Sequence, residues 1–353
     1  MTPMIYPEHR LAILLHDGIQ NATGKTGLAM LRYTPAQVVC VVDRQSAGRS
    51  LPELTGINCS VPIVASVEAA LSYQPDVLAI GIAPSGGKLP EAWRGQIEKA
   101  IKAGLSIANG LHTPLAEDPD LRSLLQPEQW VWDVRREPTG LTVGSGAART
   151  LSCLRVLTVG TDMGVGKMST SLELHQAALN RGLRSCFLAT GQAGIMISGS
   201  GVPLDAVRVD FASGAIEQMV MAAGQDANIL QIEGQGSLLN PASTATLPLM
   251  RGSQPTHLIL VHRAGQQSIR NFPEFTIPPL RQVVTLYEVL AEAGGVFAAT
   301  QVAAIALNTA HLTEQAAEAA VEQVNIETGL PCTDPVRFGA EVLLNSILGI
   351  RHC

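Results

Sequence analysis

Three short stretches hold the residue types that could do chemistry. The first is GTDMGVGK at 160–167, followed by Met168, Ser169 and Thr170. Glycines let successive backbone N–H groups converge on an anion, a helix start adds partial positive charge, and Lys167 supplies a mobile cation. The chemistry implied is phosphate binding, with Gly160, Thr161, Asp162, Gly164, Gly166, Lys167, Ser169 and Thr170 as candidate contacts. The usual spacing, G-x-x-x-x-G-K-S/T, asks for glycine at 161 and a hydroxyl at 168, where this chain has Thr161 and Met168. That hydroxyl normally ligates Mg²⁺, and a thioether is a poor ligand for a hard cation. A phosphate cradle lacking one metal ligand is the expectation.

The second stretch is IEGQGSLL at 232–239. An apolar run delivers Glu233 to the same sheet edge as the glycine loop, where an acid can orient a metal ion or take a proton. Glu233 is a candidate base. If the ligand is ATP, Glu233 and Asp210 are the candidate metal ligands. The third is HRAG at 262–265, at the exit of another buried run. His262 is a second candidate base, and Arg263 suits bidentate binding of a substrate carboxylate or a phosphate. No H-E-x-x-H, nucleophile elbow or Ser/His/Asp order is present, which removes metalloprotease and hydrolase chemistry.

Positioning these groups requires a strand before each of them. Alternating apolar and helical patterns predict strands over 154–159, 184–190, 228–232, 256–261 and 302–307, with helices between them and a last helix over 335–348. The small residues of 195–201 read as a lid or switch. The N-terminal half repeats the alternation, with strands over 10–16, 37–42, 61–65, 76–82, 106–109 and 130–136. Its second strand ends on Asp43, as in dinucleotide-binding folds, but G-x-G-x-x-G is absent, so NAD is disfavoured. Gly18, Gly24 and Lys25 repeat the interval of Gly160, Gly166 and Lys167. Lys25, and Asn109 and His112 at a strand exit, are candidate substrate-binding residues. The fold class expected is α/β with two doubly wound domains: Rossmann-like over 1–136, a Gly/Pro-rich linker over 137–150, and P-loop NTPase-like over 151–353, both with mainly parallel sheets.

The 353-residue chain has a net charge of −6, 4% aromatics and no basic run, which argues against a nucleic-acid surface. No apolar run is long enough to span a bilayer, and residues 1–7 lack the features of a signal peptide. Six scattered cysteines without C-x-x-C fit a reducing cytoplasm. The partners expected are a small anionic ligand and further copies of the chain, with no nucleic acid and no membrane.

The string GTDMGVGK at 160–167 resembles the phosphate loop of dethiobiotin synthetases, G-T-D-x-x-V-G-K-T, and IEGQGSLL at 232–239 resembles that family's V-E-G-A-G-G-L-L, whose Glu is a metal ligand. The whole chain is similar to a two-domain bacterial family, Rossmann-like plus P-loop, long labelled as of unknown function. Gly110, His112, Glu233, Ser237, His262 and Gly265 lie in the motifs that carry this likeness. Some members are described as D-glutamate N-acetyltransferases, which implies acetyl-CoA as donor and an acidic amino acid as acceptor. The CoA pyrophosphate and 3′-phosphate would sit on the cradle without metal. The synthetase resemblance implies instead ATP with Mg²⁺ activating a carboxylate. A third reading is a nucleotide-sensing switch without turnover.

Overall fold

The computed structural model describes residues 4–84 and 86–350, apart from the side chain of Ala22. Residues 1–3 of the seven read for signal features, and Cys353, thus lie outside the described part. The chain splits into two compact units, Met1–Arg136 with Gln192–Pro203, and Glu137–Gly191 with Leu204–Cys353.

In the first unit, β1 (Arg10–Leu14), β2 (Gln37–Val42), β3 (Ile63–Val64), β4 (Val77–Ile80), β5 (Ser106–Asn109) and β6 (Val131–Asp133) form one sheet in the order β3-β2-β1-β4-β5-β6. Every pairing is parallel. This is the strand order of dinucleotide-binding Rossmann folds. The helices are α1 (Lys25–Tyr33), α2 (Leu51–Thr55), α3 (Val67–Ala70), α4 (Arg94–Lys102) and α5 (Pro119–Leu124). Residues 11–14 of β1 and the whole of β4 are apolar and buried on both faces, as a helix-covered parallel sheet requires.

The second unit begins with β7 (Leu154–Gly160), α6 (Lys167–Asn180) and β8 (Ser185–Leu188). After α7 (Gln192–Ser198), which belongs to the first unit, come α8 (Val209–Ala223), β9 (Ile229–Ile232), α9 (Thr246–Ser253) and β10 (His257–Arg263). A small hairpin, β11 (Ser268–Ile269) and β12 (Phe272–Thr276), precedes α10 (Leu280–Glu292), β13 (Gln301–Asn308), α11 (Glu314–Thr328), β14 (Cys332–Thr333) and α12 (Glu341–Ile347). The six-stranded sheet runs β14-β13-β10-β7-β9-β8, again parallel throughout. Helix α6 packs on it through Leu174, Ala177 and Ala178, against Val156, Ile229 and Ile259. The two-domain α/β architecture expected from the sequence, Rossmann-like then P-loop, is the observed one.

Register decides what the sheet edge carries. Gly160 pairs with Val261, and Leu157 with Ile232. The strand ends therefore bring the glycine loop, Glu233 and His262 to one edge of the sheet.

Three local expectations change. Residues 195–201 are not an open lid: 192–198 form α7, whose Ile195, Met196 and Ile197 are buried, and it packs against α1. The last helix begins at Glu341, because Asp334 accepts from the amides of Val336 and Arg337 and turns the chain first. The Gly/Pro-rich stretch 137–150 is held on α8. The Glu217 carboxylate accepts from the amides of Ser145 and Ala147, and Thr142 O comes so close to Gly214 that a Cβ there would sit 1.7 Å away.

Candidate functional site

The glycine loop has the geometry of an anion cradle. Gly166, the residue before α6, has φ +121, a conformation open to glycine and strained for any other residue. It leaves α6 without a side-chain cap. The amides of Gly164, Val165 and Gly166 make no hydrogen bond among the described residues. Unpartnered amides at an uncapped helix start are what an anion binds. Lys167 is buried to 6% exposure, and its Nζ donates to Asp162 O at 2.8 Å, folding the ammonium back over the loop.

Asp162 does a different job from the one its motif position suggests. Its Oδ1 accepts from Met163 N at 2.6 Å and Asn240 Nδ2 at 2.7 Å; its Oδ2 accepts from Gln266 Nε2 and Arg270 N, both at 2.7 Å. With four donors on one fully buried carboxylate, it ties the loop to the 240 turn and to the β11–β12 hairpin. Other braces converge on the same loop. Tyr287 Oη donates to Gly160 O at 2.7 Å, Asn308 Nδ2 donates to Val165 O at 2.9 Å, and Thr161 Oγ1 lies 2.9 Å from His262 Nδ1. Thr170 is buried in the first turn of α6, and Ser169 is half-buried beside it.

Glu233 sits at the end of β9, 3% exposed. Its Oε2 accepts from the amides of Thr190 (2.9 Å) and Gly191 (3.2 Å), and Gln235 Nε2 lies 3.3 Å from Oε1. Burial pushes its carboxyl up to about 7, against the pull of those amides and of Lys167. The acidic neighbour that Glu233 feels is Asp205. Asp210 is exposed in the first turn of α8. His262 is buried beside the loop, and burial lowers its imidazole to about 4, so it is neutral at pH 7. Arg263 next to it is exposed, and its guanidinium makes no hydrogen bond or ion pair among the described residues. His262, Gln266, Thr276, Leu280 and Gln323 border a cavity of about 480 Å³ in this unit.

Magnesium does not fit this donor set. Met168 offers sulfur, both Asp162 oxygens are committed to N–H donors, and the Glu233 carboxylate is held by amides. Among the described residues no group of three or more His, Cys, Asp or Glu is placed to hold a metal ion.

The candidates of the first unit behave otherwise. Asn109 is fully buried: its Nδ2 donates to Thr113 O and Asp133 Oδ1, and its Oδ1 accepts from Leu111 N. It shapes the strand exit and has no group directed at a ligand. His112 is exposed and bonds Arg135. Lys25 is exposed at the start of α1. Asp43, the acid ending β2, accepts from Asp17 N at 3.1 Å and Gln45 N at 3.4 Å and so organises the adjoining loops. Sequence reasoning missed Asn240, Gln266, Arg270, Tyr287 and Asn308. Of these, Asn240 and Gln266 carried a signal, as the residues that directly follow the 232–239 and 262–265 motifs.

Residues 142–344 match a family model described as a domain of unknown function, the DUF1611_C P-loop domain. Residues 44–137 match the DUF1611_N Rossmann-like domain, also of unknown function. A D-glutamate N-acetyltransferase from Tritonibacter scottomollicae is 36% identical over 340 residues, covering 96% of this chain and 98% of that protein. One from a Pseudoalteromonas species is 36% identical over 296 residues, 83% and 86% of the two chains. The crystal structure of a DUF1611 family protein from Anabaena variabilis superposes with a TM-score of 0.95 at 63% identity, covering 97% of this chain and all of that one. The dethiobiotin-synthetase likeness rests on its two motifs alone. Among the described residues no helix is long and apolar enough to cross a membrane.

Proposed function

The chain belongs to the DUF1611 family, and on that footing we propose that it transfers an acetyl group from acetyl-CoA to the amino group of an acidic amino acid, D-glutamate first among candidates. The P-loop holds the phosphates of the donor. The observation that carries this reading is a cradle that keeps its amides and Lys167 while its oxygens do not suit magnesium. A CoA pyrophosphate or 3′-phosphate needs amides and a cation; ATP chemistry needs the metal as well. Two relatives named as D-glutamate N-acetyltransferases support the same choice.

Glu233 is the base. A carboxyl held at about 7 is substantially ionised at neutral pH and accepts a proton from the acceptor's ammonium group. The free amine attacks the thioester carbonyl, the C–N bond forms and the C–S bond breaks; the proton that the nitrogen loses after attack leaves with CoA as its thiol, and Glu233 gives the proton it took to solvent. His262, lowered to about 4, is too weak a base for this step and serves as a hydrogen-bonding neighbour of Thr161. Arg263, exposed at the end of β10, takes an acceptor carboxylate.

The test is thiol release from acetyl-CoA with D-glutamate, with L-glutamate and with no acceptor, in the presence of EDTA. Acceptor-dependent release that ignores EDTA supports the proposal. Turnover that requires both ATP and Mg²⁺ replaces it with carboxylate activation, and nucleotide binding without turnover replaces it with a sensing role.

A further inference from the structure

We propose that Arg270, at the tip of the β11–β12 hairpin, is a second cation of the phosphate cradle and stands in for the magnesium that P-loop proteins ordinarily use. This rests on the reading that the loop holds a phosphorylated carrier.

Ile269 pairs with Phe272, which leaves Arg270 and Asn271 as a two-residue tip; Asn271 has φ +69, and asparagine tolerates that conformation. The tip is fixed to the loop it faces. Arg270 N donates to Asp162 Oδ2 at 2.7 Å, and Gln266 Nε2, from the strand exit leading into the hairpin, donates to the same oxygen at 2.7 Å. A T-shaped pair of Phe272 and Phe275, centroids 6.2 Å apart, stiffens the second strand. The backbone of Arg270 is therefore a built part of the P-loop.

The side chain follows from that anchorage. Arg270 Nη1 lies 4.0 Å from where a Cβ on Gly164 would stand, at the exposed crest of the loop whose amides are unpartnered. The guanidinium is exposed and makes no hydrogen bond or ion pair among the described residues; Asp162 is engaged by the Arg270 amide and not by its charge. A planar guanidinium beside a phosphate cradle binds phosphate oxygens bidentately. The charge account asks for such a group. A diphosphate carries more negative charge than Lys167 and a helix start neutralise, and position 168 provides no metal ligand.

The experiment is calorimetric titration of CoA, and separately of ADP, in EDTA, with wild type, K167A, R270A and R270K. The expected result is a Kd for CoA weakened roughly tenfold or more in R270A, partly restored in R270K, with a shallower dependence of Kd on salt. The melting temperature should not change, because the side chain is exposed. Unchanged CoA and ADP affinity in R270A, with affinity lost in K167A, overturns this role for Arg270 and leaves the carrier reading intact. ADP binding without CoA binding overturns the CoA reading; R270A then upholds the arginine's role if it weakens ADP and overturns it if it does not. Binding of neither probe by wild type overturns both.

Discussion

Replacing Glu233 with glutamine keeps the shape of the side chain and removes its proton equilibrium. In the folded protein the carboxyl stands at about 7 because it is buried, against 4.5 in the unfolded chain. An acid raised in this way stabilises the fold fully below its unfolded value. That stabilisation is lost as the pH climbs from 4.5 to about 7, because only the unfolded chain ionises freely over that range. The interval is worth about 3 kcal/mol. The glutamine carbonyl still accepts from Thr190 and Gly191, while its amide turns toward the Gln235 carbonyl, so the variant keeps the contacts and is free of the pH cost. The melting temperature of E233Q minus that of wild type should therefore grow in favour of E233Q by roughly 6–12 °C between pH 4.5 and 8, taking about 2–4 °C per kcal/mol. Turnover should move the other way. Loss of a general base lowers kcat by about 10²-fold or more, and wild-type kcat should rise with pH through about 7. Scanning fluorimetry at several pH values and the thiol-release assay measure the two effects. A melting difference that stays flat from pH 4.5 to 8 refutes the claim that burial holds a proton on Glu233. A flat difference together with full activity in E233Q removes the residue from the mechanism.

K167A should weaken CoA binding by roughly 10–100-fold, the worth of a charge-assisted phosphate contact, as calorimetry would read directly. M168T should not by itself make ADP binding depend on Mg²⁺, because the Asp162 and Glu233 oxygens stay committed to N–H donors; calorimetry with and without EDTA checks it, and Mg²⁺-dependent binding in M168T would refute that account of the site. G234A should cost about 3 kcal/mol, because a Cβ at 234 would lie 1.7 Å from Thr158 O, backbone against backbone; thermal unfolding checks it. H262Q should leave the pH profile near 7 unchanged, because the imidazole, lowered to about 4, does not titrate there.

The sheets were legible because buried parallel strands are continuous apolar runs: 37–42 and 106–109 appear with the bounds that the sequence suggests. The β11–β12 hairpin was not, since Pro273, Glu274 and Arg270 interrupt any alternation and its two strands are short. The stretch 195–201 suggests a lid because Ser198, Gly199, Ser200 and Gly201 are small and poor helix formers, whereas the packing of α7 against α1 overrides that cost for 192–198. Among site residues, Lys167 and Glu233 announce themselves through local motifs. The role of Asp162 does not, because its partners Asn240, Gln266 and Arg270 lie 78, 104 and 108 residues further on.

The two glycine loops show how far spacing can mislead. Gly18, Gly24 and Lys25 share the interval of Gly160, Gly166 and Lys167, yet the first loop closes on itself. The amides of Gly18, Asn21 and Gly24 donate to Leu15, Gly18 and Asn21 carbonyls, and a Cβ on Gly24 would lie 2.1 Å from Gly18 O. Its glycines permit tight packing, and the amides of Gly18, Asn21 and Gly24 are already paired, which withholds them from an anion. In the second loop the glycines are kept apart by contacts from outside: Asp162 reaches the 240 turn and the hairpin, Asn308 holds Val165, and Tyr287 holds Gly160. Amides that cannot pair with their own loop are the ones left to bind a ligand. It follows that the cradle is a property of these distant braces as much as of its glycines.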